Sequence, residues 1–132
     1  MQRILIADDA PFSRQMLREI IEPLGYEVVA EAANGLEAVE LFALYQPDLV
    51  TMDLVMPKGS GLDATRMILN RFPAAKIVVA SALGQQSLIA AALEAGAMNS
   101  ITKPYQPEAV ECVLARVLEK SEEPDPQPLR LD

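Results

Sequence analysis

Five short apolar segments alternate with five longer segments in which apolar residues recur every three or four positions. The short segments are rich in β-branched residues and are bounded by polar residues, glycine or proline, which is typical of buried strands. This alternation predicts an α/β fold, a doubly wound five-stranded parallel sheet with helices on both faces and right-handed crossovers. The predicted strands are RILIAD (3–8), YEVVAEA (26–32), DLVTMD (48–53), AKIVVAS (75–81) and the weaker MNSIT (98–102).

The longer segments predict amphipathic helices at residues 12–24, 34–46, 62–72, 85–95 and 107–120. Asn34 and Gly35 open the second helix, and Gly25 and Gly96 end the first and fourth. Two apolar stripes define buried helix faces. They are Phe12, Met16, Leu17, Ile20, Ile21 and Leu24 in the first helix, and Val110, Val113, Leu114 and Val117 in the last.

Length and charge narrow the class of protein. The 132 residues suit one domain, and half of them are hydrophobic, enough for a core. A net charge of −8 argues against nucleic-acid binding, and no apolar run approaches the length of a membrane span. The N-terminus is too soon acidic for a signal peptide, so we expect a cytoplasmic protein. The single cysteine, Cys112, allows no intrachain disulfide and is expected to be a buried small hydrophobe.

The last stretch, SEEPDPQPLRLD (121–132), differs from the rest of the chain. It contains three prolines, and four acidic residues against one arginine. Such a composition predicts a disordered acidic tail that follows a folded domain spanning residues 1–120.

Polar residues follow four of the predicted strands: Asp8 and Asp9, then Asp53, then Ser81, then Lys103. In open α/β sheets, ligands bind at the carboxyl ends of the strands, where these side chains should converge. Neighbouring carboxylates repel by roughly 4 kcal/mol at about 4 Å and an effective dielectric of about 20. A hard divalent cation such as Mg²⁺ offsets that repulsion.

The same residues suggest phosphoryl chemistry. Lys103 could bind a phosphoryl oxygen as a point charge, and Ser81 could donate a hydrogen bond to it. Asp53 stands apart from the acidic pair and is the natural nucleophile, since carboxylates form covalent phosphoryl intermediates. The remaining glycines of this region, Gly59 and Gly61, are expected to let the loop after Asp53 bend. Four methionines are expected to pack in the protein rather than bind metal: Met52, Met56, Met67 and Met98.

Five motifs, in order and spacing, resemble the receiver domains of two-component response regulators over residues 2 to about 119. They are ILIADD, DLVTMDLVMPKGSGL, VVASALGQQ, AGA and ITKPYQP. The chain is most similar to stand-alone chemotaxis regulators of the CheY type. The resemblance implies a flavodoxin-like (βα)5 fold with strand order 2-1-3-4-5. It implies a protein that catalyses only its own phosphorylation and dephosphorylation.

The resemblance also implies a role for each matching residue. Asp53 is expected to accept a phosphoryl group from a phosphohistidine on a sensor histidine kinase of the CheA type. Asp9 is expected to bind Mg²⁺ directly and Asp8 through water, and Asp53 and the backbone carbonyl of Val55 complete the metal site.

Three further expectations concern switching. Ser81 resembles the switch hydroxyl, Lys103 the lysine that pairs with the phosphoryl group, and the Lys103–Pro104 bond the family's cis peptide. Many receivers carry an aromatic residue three places before this lysine, where this chain has Ser100. Tyr105 is expected to be a half-exposed aromatic and a candidate for the output surface.

These features predict a monomeric phosphorylation switch that is read by an output protein. The resemblance implies a flagellar motor switch component as that protein. A non-motility phosphorelay intermediate or phosphate sink is an alternative. An enzyme is a further alternative that the residues disfavour. A dehalogenase-type phosphatase would need an Asp at the position of Val55, and a flavin or nucleotide site would need glycines in DDAPFS.

Overall fold

Strands and helices alternate along the whole described part of the chain. The computed structural model describes residues 1–122, with side chains to residue 119, and the predicted tail from residue 123 onward lies outside the described residues. The elements are β1 Arg3–Ala7, α1 Pro11–Ile21, β2 Glu27–Ala32, α2 Gly35–Tyr45, β3 Leu49–Asp53, α3 Gly61–Arg71, β4 Ile77–Ser81, α4 Gln86–Ala95, β5 Asn99–Thr102 and α5 Pro107–Glu122.

The strands form one parallel sheet in the order β2-β1-β3-β4-β5, which confirms the predicted fold class and strand order. β1 pairs with β2 and β3, and β4 pairs with β3 and β5. All residues of β3 and β4 are buried, as expected for central strands covered on both faces. The sheet separates two apolar layers, one packed against α2, α3 and α4 and the other against α1 and α5.

Side-chain caps begin two of the helices. The Asn34 side chain accepts a hydrogen bond from the Glu37 N–H at 2.8 Å, as predicted for the start of α2. The Ser60 hydroxyl accepts one from the Asp63 N–H at 3.1 Å at the start of α3. These caps satisfy backbone donors that have no partner within the helix.

Two helix ends differ from the predicted bounds. The first α-helix ends at Ile21 and continues as a 3-10 turn over Glu22–Leu24. Pro23 lacks the N–H that another α-helical turn would need. The last helix runs two residues past the predicted residue 120, to Glu122, which is the last residue that the structure describes.

Several predicted packing positions are wrong. Phe12 is 76% exposed, and Leu24 lies exposed in the 3-10 turn, so the stripe of α1 is shorter than its periodicity indicated. Cys112 is exposed because it is two residues away from both Val110 and Leu114, and such residues lie on different helix faces. The predicted stripe of α5 is otherwise confirmed, with Val110, Leu114 and Val117 buried and Val113 half-buried.

The methionine prediction is confirmed in part. Met52 and Met56 are buried in the core, whereas Met67 and Met98 are exposed. Among the described residues, no helix has the length and apolar character needed to cross a membrane.

Candidate functional site

Three acidic side chains meet at the carboxyl edge of the sheet. Asp8 follows β1 and Asp53 ends β3, the strand paired with it. One carboxylate oxygen from each of Asp8, Asp9 and Asp53 lies within 4.8 Å of the other two. Asp8 and Asp53 are 2% and 5% exposed, and Asp9 is exposed. Two buried carboxylates and one open to solvent form a set of hard oxygen donors that fits a divalent cation.

Lys103 places a positive charge against two of these acids, Asp8 and Asp53. Its Nζ lies 3.0 Å from Asp8 Oδ2 and 3.3 Å from Asp53 Oδ2. Its backbone N–H donates to the Ser81 carbonyl at 2.8 Å, which ties the residue to the end of β4. The peptide bond to Pro104 is cis, as the resemblance implied. The predicted convergence of Lys103 with the carboxylates is therefore present in the structure.

Asp8 is held by its backbone as well as by its side chain. Its N–H donates to the Ala32 carbonyl at 2.9 Å, and its Oδ1 accepts from the Ala10 N–H at 2.9 Å. Burial acts to raise the pKa of Asp8. Hydrogen bonds from Ala10 and Ser13, together with Lys103, outweigh burial and hold that pKa below the ordinary value.

Asp53 has the opposite balance. Burial raises its pKa, Lys103 lowers it and the Asp8 charge raises it again, so the net pKa lies above the ordinary value. Burial lowers the pKa of Lys103, but its interactions with Asp8, Tyr105 and Asp53 raise it overall, and Lys103 stays charged. A cation placed beside Asp53 would favour its ionised form and lower that pKa.

The loop after β3 passes very close to Asp53. A Cβ atom on Gly61 would lie 1.9 Å from the Asp53 carbonyl oxygen, so only glycine fits at that position. Gly59 has a φ of +98°, and the preceding Lys58 also has a positive φ. The bending role predicted for Gly59 agrees with this φ, whereas Gly61 acts through close approach. The Val55 N–H lies 3.4 Å from Asp53 Oδ1, while the role of its carbonyl in metal binding stays a prediction.

Ser81 ends β4, the neighbour of β3, and is fully buried. Within the part of the chain that the structure describes, its hydroxyl has no hydrogen-bond partner. An unpaired buried hydroxyl is costly, so a ligand oxygen that approached it would gain a hydrogen bond without displacing another partner.

Ser100 and Tyr105, the two residues considered for the output face, lie in different surroundings. Ser100 is half-buried in β5 and lines a groove of about 350 Å³ beside Pro104, Val113 and the exposed Leu83. Tyr105 is only 7% exposed and packs in the core layer under α1 and α5, so the expectation of a half-exposed aromatic is wrong. The tight connection from β5 to α5 carries Tyr105 inward, which its sequence neighbours do not reveal.

One residue of the site was not predicted. Arg14 donates through Nη1 to the Asp8 carbonyl oxygen at 2.6 Å, and through Nε to Glu31 at 2.8 Å. Helical periodicity places Arg14 on a polar face of α1, which is also the usual place for a solvated arginine. No signal in the sequence distinguishes the two cases.

Comparison with known proteins identifies the family. Residues 4–115 match the family model described as response regulator receiver domain. The chain is 50% identical over 116 residues to the chemotaxis protein CheY of Thermotoga maritima. The aligned region covers 88% of this chain and 97% of that protein. It is 48% identical over 108 residues to CheY of Bacillus subtilis, covering 82% and 90% of the two chains.

A solved structure that contains a CheY protein has the same fold as this chain. The chain matches a chain of the CheX-CheY-BeF3-Mg complex from Borrelia burgdorferi with a TM-score of 0.84 and 31% identity, over 88% of each chain. The fold, the acidic cluster at the sheet edge and these matches lead to one conclusion, that the chain belongs to the response regulator receiver domain family.

Proposed function

We propose that this response regulator is a phosphorylation switch in which Asp53 accepts a phosphoryl group from a sensor histidine kinase. The observation that carries the proposal is the cluster of three carboxylates at the carboxyl edge of the sheet, two of which, those of Asp8 and Asp53, contact the Lys103 ammonium. Such a cluster repels itself, and cations relieve that repulsion while they attract phosphoryl oxygens.

The transfer step follows from the positions of the side chains. A carboxylate oxygen of Asp53 attacks phosphorus as the bond from phosphorus to the kinase histidine nitrogen breaks, which leaves an acyl phosphate. Lys103 faces the oxygens that carry the transferred negative charge, and the unpaired hydroxyl of Ser81 donates a hydrogen bond to one of them. Burial of Asp53 limits the access of water.

Metal binding belongs to this proposal. Asp8, Asp9, Asp53 and the backbone carbonyl of Val55 would hold Mg²⁺. When bound, Mg²⁺ would supply positive charge against the phosphoryl oxygens and would favour the ionised form of Asp53, whose pKa is raised by burial. Lys103 orients the Asp53 carboxylate, and the burial of Asp53 excludes water.

The output is a change in protein binding. A hydrogen bond from Ser81 to the phosphoryl group would favour one arrangement of the loop after β4 and of the face formed by α4, β5 and α5. A partner that binds this arrangement more tightly shifts the population toward it. The similarity to CheY proteins supports a CheA-like kinase and a flagellar motor switch component as partners in chemotaxis.

Intact-protein mass spectrometry after incubation with Mg²⁺ and acetyl phosphate tests the proposal. Wild type should gain one phosphoryl group (roughly 80 Da). Asp53→Asn should gain none, whereas the matched control Asp63→Asn, at an exposed site in α3, should gain as much as wild type. Equal labelling of wild type and Asp53→Asn, or no labelling of either, would refute the assignment of Asp53.

A further inference from the structure

The guanidinium of Arg14 links the backbone of Asp8 to β2. Its Nη1 donates to the Asp8 carbonyl oxygen at 2.6 Å, and its Nε donates to Glu31 Oε1 at 2.8 Å. The Arg14 side chain is 17% exposed, so both bonds are largely shielded from water. Hydrogen bonds to charged groups contribute more than neutral ones, particularly when they are shielded in this way.

These contacts close a ring around the backbone of one residue, Asp8. The Asp8 N–H donates to the carbonyl of Ala32, and Ala32 follows Glu31 in β2. Asp8 is therefore held by β2 through its own N–H, and through Arg14 and Glu31 at its carbonyl. This ring fixes the backbone from which the carboxylates of Asp8 and Asp9 project toward Asp53.

The charge of Arg14 has the wrong sign for direct help with a metal. A guanidinium close to an acidic cluster repels a divalent cation, so its removal should strengthen metal binding if charge were its only effect. If Arg14 instead holds the turn in place, its removal should weaken binding. The two roles predict changes of opposite sign.

We propose that Arg14 is a positioning residue that holds the Asp8–Asp9 turn in the geometry required for a divalent cation. This inference rests on the proposed metal site and adds to it a residue from α1 that does not touch the cation. Residues that orient metal ligands typically change metal affinity by roughly 10- to 100-fold when they are replaced.

Arg18 offers a matched control on the same helix. It also pairs with Glu31, and with Glu22 at 2.9 Å, but within the described part of the chain it makes no hydrogen bond or ion pair with Asp8. Arg18→Ala therefore removes the same charge and an ion pair to the same glutamate, while the bond to the Asp8 carbonyl remains. Arg14→Lys keeps the charge but replaces a two-pronged donor by a single ammonium group.

The experiment is a titration with Mn²⁺ alone, in which electron paramagnetic resonance measures the free ion, on wild type, Arg14→Ala, Arg14→Lys and Arg18→Ala. Arg14→Ala and Arg14→Lys should bind about tenfold more weakly than wild type. Arg18→Ala should stay within about twofold, since its contacts do not reach the turn. Metal-free urea unfolding of each variant measures the loss of stability separately from metal affinity.

The outcomes distinguish a failure of the Arg14 positioning role from a failure of the proposed metal site. If wild type binds Mn²⁺ and both Arg14 variants bind it as tightly or more tightly, positioning by Arg14 is overturned and the metal site stands. If wild type does not bind Mn²⁺, the proposed site itself falls. Should Arg14→Ala fail to fold, Arg14→Lys carries the test, because it retains the charge and lacks only the bridging geometry.

Discussion

The Nζ of Lys103 lies 3.3 Å from Asp53 Oδ2, across the edge of the sheet. The same nitrogen lies 3.0 Å from Asp8 Oδ2, so one cation serves two buried carboxylates. Removing the cation from such a group leaves two buried carboxylates uncompensated, which costs more than the intact group contributes. Lys103 therefore matters for stability as well as for the proposed chemistry.

Lys103→Met should slow labelling by acetyl phosphate about 100-fold, since a donor aimed at developing charge is lost. In metal-free buffer its free energy of unfolding should fall by about 3 kcal/mol, and excess Mg²⁺ should restore part of that loss. Mass-spectrometric rates and urea unfolding measure the two effects. Lys76→Met, just before β4, is the control. Unchanged labelling by Lys103→Met would argue against a phosphoryl contact.

Asp53→Asn should stabilise the metal-free protein at pH 7. The pKa of Asp53 is raised in the folded state, so the stability it contributes at low pH is lost as the pH rises through that pKa. Asn does not ionise, and the variant should gain on the order of 1 kcal/mol at pH 7, a typical single-residue effect. The difference should shrink as the pH falls through about 4 and vanish well below it, where Asp is protonated in both states.

Urea unfolding in EDTA at several pH values measures this difference. Asp63→Asn, at an exposed position, should show no comparable gain. Excess Mg²⁺ should stabilise wild type and not Asp53→Asn, because the variant lacks a metal ligand. A variant that is less stable than wild type at pH 7 in EDTA would contradict the raised pKa.

Gly61→Ala should be strongly destabilising. Its new Cβ would lie 1.9 Å from the Asp53 carbonyl oxygen, and backbone must move to admit it. We expect a loss of about 3 kcal/mol or more, together with slower labelling of Asp53, as for severe overpacking. Gly25→Ala is the matched comparison, because its Cβ would meet nothing within 4 Å and only its positive φ would be strained. Losses of equal size would show that close approach at Gly61 is unimportant.

Tyr105→Phe should remove the latest step in the alkaline titration of the three tyrosines. Burial, helped by the Asp8 and Asp53 charges, outweighs the opposing effects of Lys103 and Ser13 and raises the pKa of Tyr105 to about 12. Stability from neutral Tyr105 is complete below about pH 10 and is lost as the pH approaches 12. Tyrosinate absorbance measures the titration. Tyr45→Phe, at a 40% exposed residue, should leave the late step intact. If the late titration step persisted in Tyr105→Phe, the assignment of that step to Tyr105 would be refuted.

The alternation of strand-like and helix-like segments was enough to predict a parallel sheet covered by helices and to group most of the site, whereas the strand order was implied by the family resemblance. Parallel strands carry their carboxyl ends to one edge, so Asp8, Asp53, Ser81 and Lys103 could be grouped before any distance was known. Period-2 and period-3.6 patterns depend only on neighbours in the chain, which is why they are readable from sequence.

The tertiary structure alone decided what depends on contacts between distant segments. Arg14 meets Glu31 and the Asp8 carbonyl because α1 lies against the β1–β2 edge, and its own sequence neighbours do not distinguish it from a solvated arginine. Tyr105 is buried because the connection from β5 turns it under α1 and α5. Phe12 and Cys112 are exposed because no other segment of the described chain packs over them. Periodicity gives the direction of a side chain from its helix, whereas burial depends on which other segment lies there.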